Sequence, residues 1–207
     1  MRVYVYVDGF NLYYRALKGS HFKWLNLHAL ASRLLDPTDT VEVIRYFTAR
    51  VSARAGDSES PKRQQLYLSA LQTLPNTRLH FGRFLTKTKW RPLVSDPTQY
   101  VEVHDTEEKG SDVNLAAHLL NDGWRGRYDV ALIMSQDTDL IEPIRMVSTQ
   151  IGKVAGLIWL DGRRPNKNLA NAASFVRHVT PADLASSQFP NVIHRNPRPD
   201  ICKPAGW

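Results

Sequence analysis

The chain has 207 residues, enough for one domain with a substantial buried core that needs neither disulfides nor a structural metal. Its single cysteine, Cys202, excludes an internal bridge, no Cys/His pair has zinc-finger spacing, and no apolar run approaches the roughly 20 residues that span a bilayer. The net charge of +7 points toward polyanionic partners, and its distribution says more. Residues 45–91 hold ten Lys/Arg against two Asp/Glu, residues 92–142 three against eleven, and the stretch from Arg163 onward seven against two. A basic chain with one concentrated acidic block has either a solvated acidic face or a use for it. Met1-Arg2 leads straight into a strand-like run without a signal-peptide pattern, which predicts a soluble, cytoplasmic protein with no membrane partner.

Residues 2–7, Arg-Val-Tyr-Val-Tyr-Val, are almost all β-branched or aromatic and stop at Asp8-Gly9, the pattern of a strand covered on both faces. Helical segments are expected over Asn11 to Leu17 and over Leu27 to Leu35, the second ended by Asp36-Pro37. Val41 to Val51 reads as a second strand. Ser60-Pro61 opens a helix to about Leu74, with Leu66, Leu68 and Leu71 near one face, and Arg78 to Leu85 is strand-like. Two short segments, Phe84 to Thr88 and Gln99 to Val103, flank Pro92 and Asp96-Pro97 and predict a projecting hairpin. Then follow a helix over Ser111 to Leu120, a buried strand over Asp129 to Met134 and a helix over Leu140 to Thr149. A strand over Val154 to Leu160, a short helix over Asn166 to Ala173 and a last strand over Phe175 to Val179 complete the order. Strand–helix alternation of this kind predicts a three-layer α/β domain with a mostly parallel sheet. From Pro190 the chain is Pro- and Asn-rich without apolar periodicity. Residues 1–189 are therefore expected to form the domain and 190–207 a basic tail, either an arm on nucleic acid or a disordered end.

In an open α/β sheet, ligands sit outside the carboxyl ends of the strands. Asp8 directly follows the first strand, and Asp137 and Asp139 follow Asp129 to Met134 in the turn Ser-Gln-Asp-Thr-Asp. Asp112 lies in the first turn of the helix that feeds that same strand, where free N–H groups favour an anion. Singly, each reads as a cap or a turn residue. Together they converge on one rim, where carboxylates repel one another unless a cation lies between them. Mg2+ or Mn2+ suits such oxygen ligands, and the chemistry it brings is phosphodiester hydrolysis. The surrounding positive charge then has a use as a nucleic-acid-binding surface.

Three stretches carry a resemblance: Val7-Asp8-Gly9-Phe10-Asn11-Leu12-Tyr13, Glu108-Lys109-Gly110-Ser111-Asp112-Val113-Asn114-Leu115-Ala116 and Ser135-Gln136-Asp137-Thr138-Asp139-Leu140-Ile141-Glu142-Pro143. In order and each at an element boundary, they resemble the signature stretches of the NYN domain, the PIN-like nuclease family that includes LabA-like bacterial proteins. The likeness spans roughly residues 2–180. It implies a PIN-like Rossmannoid fold, metal-dependent ribonuclease activity with Mg2+ or Mn2+, and RNA as partner. It places Asp8, Asp112, Asp137 and Asp139 in the metal site with Asn11 beside them. One departure is Gln136, where many members have Gly.

On these readings Asp8 and Asp137 are expected to ligate the ion directly, with Asp112 and Asp139 completing the ring directly or through water. Asn11 either holds a phosphate oxygen, fixes a carboxylate, or bonds only backbone. Ser135 and Thr138 are expected to orient the aspartates. For the substrate path, Arg45, Arg50 and Arg54 lead from the second strand toward the rim, and Arg83, Lys87, Lys89 and Arg91 interleave with Trp90 on the hairpin. Lys109 either meets the phosphate or is a plain surface lysine, and Tyr13 and Tyr14 either stack on bases or pack in the core. A haloacid-dehalogenase-type phosphatase is excluded because Phe10 stands where its second aspartate belongs. A Toprim-type nuclease matches Asp137-Thr138-Asp139 but wants a Glu where Asp8 stands, and stays open as a more distant enzyme alternative. The alternative from another class is a non-catalytic NYN-like protein that binds RNA or a partner. A regulatory protein partner and a homo-oligomer both stay open.

Overall fold

The computed structural model describes residues 1–53 and 56–207. The chain begins with β1 (Arg2–Asp8), α1 (Gly9–Leu12, continued by a π-helical turn over Tyr13–Leu17), α2 (Leu27–Arg33), β2 (Thr40–Thr48), α3 (Ser60–Leu71) and β3 (Thr77–Phe81). It goes on through β4 (Arg83–Pro92), β5 (Tyr100–Lys109), α4 (Ser111–Trp124), β6 (Val130–Met134) and α5 (Ile141–Thr149). The last elements are β7 (Val154–Trp159), α6 (Lys167–Ala172), β8 (Phe175–His178), α7 (Pro181–Ser186), β9 (Val192–Ile193) and β10 (Ile201–Cys202).

Six strands form one parallel sheet in the order β3-β2-β1-β6-β7-β8. The chain works outward from β1 to β3, then returns to the other side of β1 as β6. That reversal puts a crevice at the carboxyl ends of β1 and β6, where doubly wound sheets bind ligands. Alternate side chains of the strands feed two cores. Val3, Val5, Val7, Ile44, Tyr46 and Leu132 pack with Leu30 of α2 and Leu68 and Leu71 of α3 on one face. Tyr6, Phe47, Ala131, Ile133 and Leu157 pack with Leu115 and Leu119 of α4, Ile144 and Val147 of α5 and Leu169 of α6 on the other. The domain is thus a three-layer α/β structure around a parallel six-strand sheet. Among the described residues no helix is long and apolar enough to cross a membrane.

Several boundaries differ from the sequence reading. The stretch Arg78 to Leu85 is not one strand: it breaks at Gly82 into β3 and β4. A Cβ on Gly82 would lie 2.0 Å from Glu108 Oε1 and 2.6 Å from the Lys109 carbonyl, so only glycine lets the returning hairpin strand pass this close. The hairpin itself is longer than expected, with β4 and β5 paired antiparallel from Arg83↔Lys109 to Pro92↔Tyr100. It holds five basic residues, Arg83, Lys87, Lys89, Arg91 and Lys109, against five acids, Asp96, Glu102, Asp105, Glu107 and Glu108. The ribbon is therefore charge-balanced.

Residues 190–207 fold back onto the first core. The Trp24 indole donates to the Pro190 carbonyl (2.9 Å), Ile201 is buried, and Trp207 packs on Trp24 and Tyr67 at ring-centroid distances of 6.3 and 5.9 Å. These anchors are single apolar residues spaced irregularly among prolines, which hides them from any periodicity argument. The helix α7 also went unread. Its start is a capping box in which Thr180 and Asp183 bond each other's backbone.

Candidate metal and active site

Asp8 ends β1 and is 5% exposed, with both carboxylate oxygens engaged. Oδ1 accepts from the Asn11 N–H (2.9 Å), which makes Asp8 the N-cap of α1, and Oδ2 accepts from Ser135 Oγ (3.0 Å). Ser135 Oγ in turn accepts from the Asp137 N–H (3.1 Å), and Asp137 Oδ1 accepts from the Asp139 N–H (3.0 Å). Asn11 Oδ1 accepts from the Gln136 N–H (3.0 Å), tying the β1–α1 turn to the turn after β6. These bonds fix two loops 125 residues apart into one rigid rim. Asp112, in the first turn of α4, approaches from the second face. Asp8, Asp112 and Asp137 each offer an oxygen, and those oxygens all lie within 4.8 Å of one another.

Three carboxylates this close disfavour each other's charge. Burial raises the Asp8 carboxyl above its ordinary value, the bonds from Asn11 and Ser135 oppose that rise, and the Asp137 charge adds to it. Asp112 is pushed up to about 6, first by burial, then by the charges of Asp8, Asp137, Glu108 and Asp139. A divalent ion would relieve both effects. Mg2+ holds oxygens at about 2.1 Å in an octahedron, which three carboxylates gathered this closely can share with solvent.

The pit around these oxygens has a volume of about 330 Å³ and is also lined by Arg15, Phe84, Glu108 and Ser111. None of the four was singled out in the sequence for the site. Arg15 stands one helical turn after Asn11, an i,i+4 relation that could have flagged it. Its guanidinium lies 3.8 Å from Asp161. Glu108 bonds the Ser111 hydroxyl (2.5 Å) and so reaches from the hairpin base to the start of α4. Phe84 packs edge-on against Phe10 with ring centroids 5.6 Å apart, seating the hairpin beside the pit.

Asp139 stands outside the trio. Its N–H serves Asp137 and its own carboxylate is on an exposed residue, near enough to act on Asp112 by charge. Asn11 lines the pit, its Oδ1 held by the Gln136 N–H and its backbone N–H given to Asp8. Gln136 is buried, its Oε1 bonds no group among the described residues, and it does not line the pit.

The expected substrate path divides. Arg45 is 3% exposed and faces the second core, where its Nε and Nη2 donate to Asp122 at 2.7 and 3.0 Å. Asp122 also accepts from Tyr6 Oη and Arg127 Nη1, each at 2.9 Å. Arg45 is therefore a buried structural charge and not a rim residue, because its place in β2 gives it the parity of Phe47. Arg54 lies outside the described residues. Arg50 donates to Gln65 (2.6 Å) and its guanidinium sits 4.8 Å from the centre of the Phe81 ring. Lys89 is held by Asp105 and Glu107, Arg91 lies 3.7 Å from Asp105, and Lys109 pairs with Glu107 at 2.8 Å. Arg83 and Lys87 are exposed and make no ion pair among the described residues, and Trp90, 64% exposed, lies on the opposite face of the ribbon by strand alternation.

The model of the NYN domain family matches residues 2–179. The chain belongs to the NYN domain family. That membership points to a nuclease-type hydrolase. Among related proteins, one from Pseudomonas putida (strain DSM 28022 / S16), named 6-hydroxy-3-succinoylpyridine 3-monooxygenase HspA, is 30% identical over 239 aligned positions, spanning all of this chain and 75% of that one. Among solved structures, a protein of unknown function from Vibrio parahaemolyticus RIMD 2210633 superposes with a TM-score of 0.57 at 14% identity, covering 87% of this NYN chain and 93% of that chain. At that identity the likeness concerns the fold alone. Within the NYN domain, the acidic trio sits at the switch point of the sheet, the place its topology reserves for a ligand.

Proposed function

We propose that this chain is a divalent-metal-dependent ribonuclease that hydrolyses phosphodiester bonds of cytoplasmic RNA at the pit of Asp8, Asp112 and Asp137, with Mg2+ or Mn2+ as the ion. The observation that carries the reading is the convergence of those three carboxylates within 4.8 Å at the switch point of a NYN domain. The donor set fits a hard cation, since it is all oxygen and its members carry more negative charge than their burial favours. Bound there, the ion would supply charge to a phosphate oxygen and to an attacking water.

The remaining work falls to the chain's own side chains. Ser135 and Asn11 lock Asp8 in one rotamer, and Ser135 holds the Asp137 backbone against it. Arg15 lines the pit and is placed to meet a non-bridging phosphate oxygen. Arg50, Arg83 and Lys87 offer the basic path by which a strand approaches, while Lys89, Arg91 and Lys109 reach it only by leaving their acidic neighbours. Incubating labelled single-stranded RNA with the purified protein, with Mn2+ or Mg2+ and then with chelator, tests the reading. Cleavage that needs metal and vanishes in Asp137→Asn is expected. Binding without cleavage under every metal would leave a non-catalytic RNA-binding protein instead.

The relative named as a monooxygenase favours a second reading, in which the chain hydroxylates a small aromatic ring. The all-carboxylate donor set argues for the first, because non-haem iron oxygenases use two histidines with one carboxylate. Oxygen uptake with 6-hydroxy-3-succinoylpyridine and a reduced nicotinamide, retained in Asp137→Asn, would support the second.

A further inference from the structure

A second cleft, of about 480 Å³, adjoins the acidic pit. It opens over the carboxyl end of β2, between the α1 turn and the first half of α3. Phe10 and Tyr14 line both concavities, so the ridge between them is one side chain thick. Its volume falls in the range of small-molecule sites, about 300–1,000 Å³.

The walls are aromatic and one of them is unfinished. Tyr13 and Tyr14 are 36% and 52% exposed, with their rings nearly perpendicular at a centroid distance of 5.2 Å. Lys18 covers one face of Tyr14, its Nζ 5.1 Å from the ring centre. In their T-shaped contact the edge of one ring meets the face of the other. At the floor Tyr46 is 6% exposed, and its hydroxyl bonds no group among the described residues. The other deeply buried tyrosines differ: Tyr6, Tyr67 and Tyr128 donate to Asp122, to the Leu25 carbonyl and to the Leu119 carbonyl. A cleft-lining hydroxyl with no protein acceptor among the described residues is free to donate to whatever enters the cleft.

Tyr46 is also held rigidly. A Cβ on Gly9 would lie 2.6 Å from its Cζ and its Oη, so the glycine after Asp8 is what lets this ring pass behind the β1–α1 turn. Burial and the Asp8 charge keep the phenol protonated, hence a donor. Lys23 lines the same cleft and makes no ion pair among the described residues, whereas Arg63 is bound to Asp57 at 2.7 Å.

We propose that this cleft is a nucleobase subsite: it takes the base of the nucleotide adjoining the scissile phosphate, face to face with one ring of the Tyr13–Tyr14 pair and edge-on to the other, with the Tyr46 hydroxyl donating to a ring acceptor. The inference rests on the ribonuclease reading and narrows its substrate to single-stranded RNA, since a base must leave its helix to enter. Lys23 meets the backbone phosphate on the far side of that base. Stacking platforms with a cation beside them are how proteins hold single strands, and one donor at the floor adds a preference among bases.

The test is equilibrium binding of the full chain in chelator, so that no cleavage occurs, to fluorescent tri-uridylate and to the same trimer with one base removed. Loss of a base at the bound position is expected to weaken binding about tenfold, and Tyr13→Ala to weaken the intact trimer by about the same factor. Tyr46→Phe, which keeps the ring and the packing, should weaken the intact trimer about fivefold and leave the abasic trimer unchanged. Equal affinities for both trimers, or no effect of either substitution, would overturn the subsite. So would free uridine monophosphate binding more tightly than the trimer, which would mark a site for a free small molecule. If these sensitivities appear without metal-dependent cleavage, the subsite stands and the nuclease reading falls. If cleavage occurs without them, the subsite alone falls.

Discussion

Asp112→Asn should stabilise the metal-free protein near neutral pH while removing its capacity to cut RNA. In the folded chain the Asp112 carboxyl is pushed up to about 6 by burial and by its acidic neighbours, whereas in the unfolded chain it titrates near its ordinary value of about 3.9. Between those values the folded state holds more protons than the unfolded one, so stability falls as pH rises through the interval. Above about 6 the cost is present in full; below about 4 it is gone. At about 1.4 kcal/mol per pH unit the gap would amount to about 3 kcal/mol for a fully enclosed group. Asp112 is half-buried, and screening by solvent leaves about 1 kcal/mol of that. In a domain of this size 1 kcal/mol corresponds to about 2–4 °C in Tm. Thermal unfolding in chelator should therefore show the variant melting about 2–4 °C above wild type at pH 7.5 and level with it at pH 4. Mn2+ should raise the wild-type Tm and move the variant less, because binding to the folded state alone adds stability by mass action. A variant that melts at or below wild type at pH 7.5, or that gains equally at both pH values, would refute the reasoning.

Other substitutions separate catalytic from structural charge. Asp8→Asn should abolish cleavage with an unchanged circular dichroism spectrum, since Ser135 and the Asn11 N–H can still bond an amide; normal activity would remove Asp8 from the metal set. Arg45→Met should cost about 3 kcal/mol in denaturant unfolding, at the low end for breaking a buried pair because Arg127 and Tyr6 stay on Asp122. The same variant, measured at a temperature where it is folded, should bind RNA with an unaltered salt slope; a weaker slope would return Arg45 to the substrate path. Neutralising Arg83 and Lys87 together should flatten the logarithmic salt dependence of single-strand binding by about 1.4, at about 0.7 per phosphate contact. An unchanged slope would move the path off the hairpin.

The acidic trio was legible because each aspartate ends a readable element. A strand that stops at Asp8-Gly9, a buried strand followed by Ser-Gln-Asp-Thr-Asp and a helix opening at Ser111-Asp112 place their own termini, and the topology of a parallel sheet gathers those termini on one edge. The fate of Arg45 was hidden by the same property that made the strands easy to find. A strand buried on both faces has no polar side, so alternation does not tell which face an arginine joins. The acid that receives it, Asp122, lies 77 residues away on α4.

The opposed charge blocks were misleading for a related reason. The basic block of residues 45–91 and the acidic block of 92–142 become neighbours in space through the β4–β5 register and through Arg45–Asp122. Arg45, Lys89 and Arg91 of the basic block are held there by Asp122, Asp105 and Glu107 of the acidic one. Among the described residues the acidic trio makes no ion pair, and the cations that make none include Arg83 and Lys87 on the hairpin and Lys23 beside the aromatic cleft. Net charge counts all of these alike, whereas only the residue of unpaired charge can act on a substrate. Tyr13 and Tyr14 follow the same logic on the apolar side. Their adjacency in a helix reads as core, yet consecutive helical positions point about 100° apart, the full width of an ordinary apolar stripe, so adjacency alone does not say whether either is buried. Here both meet solvent, at the lip of a cleft whose floor holds the Tyr46 hydroxyl, which has no partner among the described residues.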